Sequence, residues 1–420
     1  MPGNRPRVVI TGMGAISPLG IGVDAFWEAC LAGRSGIERL QAFDPSGLAC
    51  QIAGEVRNFT PTDHMARKDA RRMARFSQFA VAGAAQAFED ANLDLGTEDR
   101  TRIGVVLGNG IGGLPNIQAG VLHMQERGAM RLDPLLIPRV LPNMAASNVS
   151  MQFGLLGYNS TIVTACAAGT QAIGEAAELI RRGTADVVVS GGTEAAMVEV
   201  MAGSFAVMRA LSSRNDAPQR ASRPFDADRD GFVPAEGAGI LVLESEAHAR
   251  ARDARIRAEV AGFGASADAY HLVAPDESGD GPVRAVIAAL HDAGTGPGEV
   301  DYVNAHGTST PLNDVSETKA LKTALGKDAY RVAISATKSM IGHGFGAGGA
   351  LESIAAVRSI ETGRIHPTVN LETPDPACDL DYVPGTAREA KVDVVLKNSF
   401  GFGGQNACLV LRRYEEEQRR

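Results

Sequence analysis

"TIVTACAAGTQAIGEAAELIRRG", Thr161 to Gly183, passes from an apolar β-branched run (Thr161, Ile162, Val163) through Thr164-Ala165-Cys166 into small residues that open a helix. A cysteine thus stands at the hinge between a strand and a helix N-terminus. The second half of the chain echoes this stretch in "RVAISATKSMIGHGFGAGGALESIAAVRSIETG" from Arg331. Other pairs keep the same order: "RVVITGMGAIS" from Arg7 with "RAEVAGFGASA" from Arg257, "IGVVLGNGIGG" from Ile103 with "VDYVNAHGTST" from Val300, and "VVVSGGTE" from Val187 with "VVLKNSFGFGG" from Val394. Matches in register predict two homologous α/β halves, residues 1–255 and 256–420, each too long to be a short solenoid repeat. Extra material in the first half, about 110–156 and 201–231, is expected to cap the site and to fill a dimer interface.

Short apolar strands alternate with Ala-rich helical stretches, as in "RVVITGMG", "FSQFAVAGAAQAFEDA", "RIGVVLGNG" and "DVVVSGG". This alternation argues an α/β fold with strands buried on both faces. The 420 residues are 45% hydrophobic and 21% charged, enough for a large core. A formal net charge of -8 argues against nucleic acid as the main partner. No apolar run approaches the ~18 residues of a membrane span, and "MPGNRPRVVITG" lacks the apolar core of a signal peptide. The five cysteines (Cys30, Cys50, Cys166, Cys378, Cys408) are widely spaced and form no CxxC pair. A soluble cytoplasmic protein with reduced thiols is the expectation.

Chemistry gathers at the ends of the strands. A thiolate at a helix N-terminus is stabilised by unpaired N–H groups and the positive dipole end, so the pKa of Cys166 is expected to fall. Ala167, Ala168 and Gly169 are expected to leave space for a substrate. Taken alone, a free cysteine is more often a small buried hydrophobe. Of the eight histidines, His306 in "VNAHGTSTPLND" and His343 in "SATKSMIGHGFGAGGALES" are flanked by glycine where strands end. His248, in "EAHARARDAR", reads as a solvated helix residue, and His64, His123, His291 and His366 have no such setting. The turn "KNSFGFGGQNA" surrounds Phe400 and Phe402 with glycines that let backbone N–H groups approach a ligand, as an oxyanion hole requires. It lacks the spacing of a phosphate loop, and the N-terminal "TGMGAISPLG" is a weak dinucleotide signal because Ser17 takes the place of its third glycine. No HExxH or GxSxG occurs.

Together, "TACAAGTQAIG", "SGGTEAAM", "SRPFDADRDGFVPAEGAGILVLE", "DAYHLVAP", "VNAHGTSTPLND", "ATKSMIGHGFGAGG" and "NSFGFGGQN" resemble the β-ketoacyl-acyl carrier protein synthases, most closely the type II synthases that elongate bacterial fatty acids. The resemblance runs from Val8 to about Arg412. It implies a thiolase-like fold, with duplicated βαβ halves in five αβαβα layers. It implies Cys166 as the nucleophile that takes an acyl chain from a carrier-protein thioester, and His306 and His343 as donors to the malonyl thioester oxygen during decarboxylation. Backbone N–H groups of Cys166 and Phe402 match the oxyanion hole. Lys338 and Glu352 match the family's charged pair around the second histidine. Thr308 and Thr310 match residues that bond the phosphopantetheine arm, Phe402 the gating phenylalanine beside Phe400, and Ile111 and Phe205 the walls of the acyl pocket. The resemblance implies a homodimer acting with acyl carrier protein, and neither metal nor organic cofactor for the Claisen step.

"ARKDARRMARF" places Arg67, Arg71 and Arg75 at helical spacing beside Lys68 and Arg72. Acyl carrier proteins are acidic, so this face, with Arg209 as a further contributor, is the expected docking surface; the bland reading is a solvated face. Departures from the family pattern lie at Ala167-Ala168, at Gly344-Phe345 and at Gln405, where Thr is usual. They leave chain-length preference open. A polyketide ketosynthase would share every catalytic residue, whereas a non-catalytic chain-length factor lacks the nucleophile. A thiolase would place a second active-site cysteine near the C-terminal turn, and a nicotinamide oxidoreductase rests only on the N-terminal glycine pair.

Overall fold

The computed structural model describes residues 5–416. One 11-stranded sheet forms among them: ten strands along its path and a two-residue strand, Gly20–Ile21, paired to the end of the first. The first half contributes β1 (Val8–Ser17), β2 (Ile103–Gly108), β3 (Asn159–Ile162), β4 (Val187–Glu194) and β5 (Gly237–Ser245). The second contributes β6 (Ala258–Ala267), β7 (Tyr302–Asn304), β8 (Ala333–Ser335), β9 (Val394–Gly401) and β10 (Gln405–Arg412). The order is β8-β7-β9-β10-β6-β1-β5-β4-β2-β3, so each half repeats one sequence of strands outward from the β6–β1 junction. The junction itself is only Val9↔Glu259 and Ile10↔Ala258. The echoed segments fall on equivalent strands: β1 with β6, β2 with β7, β3 with β8, β4 with β9. Each half mixes a parallel trio with antiparallel strands, β5 on one side and β10 on the other.

Helices fill the spaces in layers. α1 (Arg75–Ala91) and α2 (Leu114–Arg127) precede α3 (Met144–Phe153), α4 (Ala168–Arg181) and α5 (Glu199–Val207). The second half adds α6 (Asp280–Asp292), α7 (Pro311–Leu325) and α8 (Gly348–Thr362). α4 and α8 lie between the two halves of the sheet and touch strands of both. α8 is accordingly apolar nearly all round, and its first polar group, Glu352, is fully buried and needs internal cations. α1 and α3 cover the outer face of the first half, and α6 and α7 that of the second. This is the five-layered, duplicated thiolase-like arrangement.

The N-terminal glycines have a packing reason. A Cβ on Gly12 would stand 2.1 Å from the Ala87 carbonyl oxygen, and one on Gly14 2.0 Å from that of Gly83. Both glycines let α1 lie directly on β1, which accounts for the weak dinucleotide-like pattern. The "SRPFDADRDG" stretch is structural too. Arg223 pairs with Asp226 at 2.9 Å, and Arg229 with Asp375 at 2.7 Å, clamping this loop to the C-terminal segment. His248 is not a solvated helix residue. Its ring bridges Glu244 at 2.6 Å and Glu98 at 3.0 Å, and these carboxylates raise its pKa.

Candidate active site

β3 leads through Val163 and Thr164 into a tight turn, Ala165–Ala167, which opens α4. Ala165 takes a left-handed φ of 49°, and the equivalent residue of the second half, Phe345, takes 45° at the turn that opens α8. Non-glycine residues held in this region store strain of order 1 kcal/mol and persist where the surroundings fix them. The two turns pack on each other. A Cβ on Gly169 would come within 2.6 Å of the Gly346 carbonyl oxygen, and one on Gly192 within 2.1 Å of the same atom. Ala167 and Ala168 are fully buried. The small residues after Cys166 therefore do not leave space for a substrate; they admit the backbone of the opposing turn.

Cys166, His306 and His343 line one cavity, with Phe400 and Phe402 of the β9–β10 turn. His343 Nε2 lies 3.0 Å from Cys166 Sγ. The His306 and His343 rings meet edge to face, 5.6 Å between centroids. The tautomers follow from the partners. Phe345 N–H donates to His343 Nδ1 at 3.2 Å, and the Lys338 ammonium, which has no acceptor capacity, donates to His306 Nδ1 at 3.3 Å. Both rings therefore carry their proton on Nε2. Burial, reinforced by the Lys338 charge, holds both imidazolium pKa values well below the usual range, so both rings are neutral N–H donors.

The thiol runs against the helix-terminus expectation. Burial pushes it up to about 12, although Lys338 and the backbone N–H groups of Phe402 and Cys166 favour the thiolate. Desolvation in this largely apolar pocket outweighs the dipole of α4. The resting nucleophile is a thiol, with thiolate-stabilising donors already in place.

Lys338 and Glu352 form a buried ion pair at 2.5 Å. The pair sits against the first histidine rather than the second, since Lys338 also donates to the His306 carbonyl oxygen at 2.8 Å. Thr308 and Thr310 line the cavity mouth, their hydroxyls 2.9 Å apart. Thr310 also caps α7, accepting from Asn313 N–H ahead of Pro311 at the first helical position. Phe205 lines the cavity and packs against Phe232, Phe345 and Phe402. Ile111 is not among the residues lining it; like Cys166 and Phe205, it packs against the apolar cluster that contains Phe345.

Arg209 is exposed on the cavity rim, whereas Arg67, Lys68, Arg71 and Arg72, also exposed, are outside the cavity lining. The continuous basic helical face does not form. The helix Arg67–Ala70 ends after four residues, and Arg75 begins α1 with its guanidinium on Glu236 at 2.8 Å.

Sequence reasoning missed three buried groups. Glu317 on α7 accepts from the backbone N–H groups of His306 at 2.8 Å and Gly307 at 2.9 Å, fixing the turn that carries the histidine. Glu194, at the end of β4, accepts from Gly110 N–H at 2.8 Å and Gly346 N–H at 3.2 Å; burial without a cation pushes its pKa up to about 7. Lys397, fully buried in β9, stands 2.8 Å from Glu352 Oε2. Lys397 and Glu194 each stand as the lone charge of an apolar strand, whereas Glu317 sits among the other charges of α7 and carries no such signal.

The model of the β-ketoacyl synthase N-terminal domain matches residues 5–249, and that of the C-terminal domain matches residues 257–372. The 3-oxoacyl-[acyl-carrier-protein] synthase 2 of Synechocystis sp. is 48% identical over 98% of this chain and 99% of its own length. A β-ketoacyl synthase structure from Burkholderia phymatum superposes with a TM-score of 0.91 at 38% identity, covering 98% of this chain and 100% of that one. A structure of a type II PKS acyl-carrier protein in complex with its ketosynthase gives 0.91 at 36% identity, with the same coverage.

Proposed function

Because the chain belongs to the β-ketoacyl synthase family, we propose that it condenses malonyl-acyl carrier protein with an acyl chain held on Cys166, giving 3-oxoacyl-acyl carrier protein in fatty acid elongation. One observation carries the chemistry: a cysteine and two neutral Nε2–H donors share a single buried cavity. The first half, residues 1–255, supplies the nucleophile, and the second, 256–420, both histidines.

In the first step Cys166 Sγ attacks the carrier thioester carbonyl. The acyl–sulfur bond to the carrier breaks, and the proton lost by Cys166 leaves with the carrier thiol. The exchange trades one thioester for another, so the barrier is set by forming the thiolate, which the His343 N–H and the backbone donors stabilise. In the second step the malonyl carboxylate departs as carbon dioxide and its electron pair passes into the thioester enolate. The two Nε2–H groups are aimed at the oxygen on which this charge develops. The enolate carbon then attacks the acyl-Cys166 carbonyl, with the Cys166 and Phe402 N–H groups as the oxyanion hole. Collapse expels the Cys166 thiolate, which takes up one proton. Lys338 positions His306 in its donor tautomer, and Thr308 and Thr310 bind the carrier's pantetheine arm at the mouth. Phe400 and Phe402 screen the sulfur, and Phe205 bounds the acyl chain.

The partner is acyl carrier protein, in keeping with the carrier-bound ketosynthase among the similar structures. Arg209 at the rim and the Arg67, Lys68, Arg71 and Arg72 cluster are its docking charges. The active unit is a homodimer. α2 buries none of its residues, and Ile117, Val121 and Leu122 on it are at least 41% exposed. β3, the edge of the sheet, leads into Val163, 54% exposed. Such surface is covered in stable proteins. Among the described residues no helix is long and apolar enough to cross a membrane.

The test is product analysis with purified protein, malonyl-acyl carrier protein and acyl-carrier thioesters of graded length. Formation of 3-oxoacyl products with loss of one carbon dioxide per turn supports the reading. Acylation of Cys166 only by polyketide starter units would favour the polyketide ketosynthase instead.

A further inference from the structure

Two buried ammonium groups converge on one buried carboxylate. Lys338 Nζ lies 2.5 Å from Glu352 Oε1 and Lys397 Nζ 2.8 Å from Glu352 Oε2. All three side chains are at most 2% exposed. Lys338 is already accounted for by its bonds to His306 Nδ1 and the His306 carbonyl. Lys397 touches neither histidine, yet it is an ionised group in the middle of the apolar strand "VVLKNSF", where an aliphatic residue would cost nothing. Its other partners show what it joins. The ammonium donates to Ser399 Oγ at 3.0 Å and to the Asn398 carbonyl. Ser399 Oγ in turn is 2.7 Å from Thr170 Oγ1, on the first turn of α4 just after Cys166. Asn398 Nδ2 donates to Glu317, which holds the His306 backbone.

We propose that Lys397 is a positioning residue of the condensing site: its ammonium locks Glu352, and through it Lys338, onto His306, and by way of Ser399 and Thr170 ties that histidine's support to the helix carrying Cys166. The inference rests on the condensing-enzyme reading above. Four charges form the lattice, Lys338 and Lys397 against Glu352 and Glu317; Lys338 and Glu317 both bond His306, whose ring meets that of His343 edge to face. Cys408, buried on β10 opposite Asn398, is held as a neutral thiol by burial. With Lys397 present the lattice balances, and its second cation opposes protonation of either histidine.

The test compares wild type, Lys397→Met and Lys397→Gln in full-length protein. Folding is checked by circular dichroism, Cys166 acylation by intact mass, and malonyl decarboxylation as a function of pH. Loss of the cation makes the histidines easier to protonate, so the acid limb of decarboxylation is expected to move up by about half a pH unit or more in both variants. Decarboxylation at neutral pH is expected to fall by roughly tenfold or more, well beyond any loss in acylation. Glu352→Gln removes the opposite charge and is expected to move the same limb the other way, which keeps the proposal testable if neither Lys397 variant folds. An acid limb unmoved in all folded variants, or acylation and decarboxylation falling in equal proportion, would overturn the proposal. A wild type that acquires no acyl adduct would instead overturn the functional reading beneath it.

Discussion

His343 Nε2 donates toward Cys166 Sγ across 3.0 Å, because its other nitrogen is occupied by the Phe345 N–H. The ring is therefore a fixed donor in the resting protein, and it points at the atom where negative charge first appears. His343→Ala removes that donor from both steps. Condensation is expected to drop by roughly 10²–10³-fold, with acylation and decarboxylation both impaired in single-step assays. Retention of full acylation would show that the 3.0 Å contact plays no part in activating the sulfur.

Glu317 tests how the other histidine is held. Its carboxylate accepts from two successive backbone N–H groups at His306 and Gly307 and, among the described residues, has no cation within bonding distance. Glu317→Ala leaves both donors buried without an acceptor. We expect a loss of about 2–5 kcal/mol in unfolding free energy by chemical denaturation and a fall in decarboxylation larger than in acylation.

Glu194 gives a pH signature. Its folded pKa, about 7, is raised from the usual 4.5. A raised folded value means that the folded state holds the proton more tightly. The contribution to stability is complete below about 4.5 and is lost as pH rises through about 7. Glu194→Gln cannot titrate. Between about pH 5 and pH 8 the stability difference should therefore shift in the variant's favour by roughly 3 kcal/mol at most. A difference that stays flat with pH would show that Glu194 is ionised throughout.

Charge reversal tests the docking surface. The doubly substituted Arg67→Glu/Lys68→Glu protein should show KM for acyl carrier protein raised roughly tenfold at low salt, with kcat little changed and the defect shrinking as salt is added. Equal KM values would assign these residues to the solvated face.

The fold was legible because the sequence repeats itself. β1 and β6, β2 and β7, β3 and β8, β4 and β9 could be paired by eye, and the strand order of the two halves is identical. Cys166, His306 and His343 were legible because each stands on glycine- or alanine-rich turns at strand ends. What escaped was set by tertiary packing. The rise in the thiol's pKa comes from burial among residues brought from elsewhere in the chain, Phe205, Phe345 and Phe402 among them. Spacing alone suggested a helical face through Arg75, but Glu236 draws that guanidinium onto the start of α1. Glu194 and Lys397 stood out only as lone charges in apolar strands and Glu317 not at all among the charges of α7, since a buried charge is distinguished from a solvated one by what folds over it.

The central claim is that Cys166 carries the acyl chain. Intact mass after incubation with acyl-carrier thioesters of several lengths, on wild type and Cys166→Ala, tests it most directly. The account predicts a single acyl adduct on wild type, none on Cys166→Ala, and retained malonyl decarboxylation in the variant because both Nε2–H donors remain. An adduct that persists on Cys166→Ala, or none on folded wild type at any chain length, would contradict it.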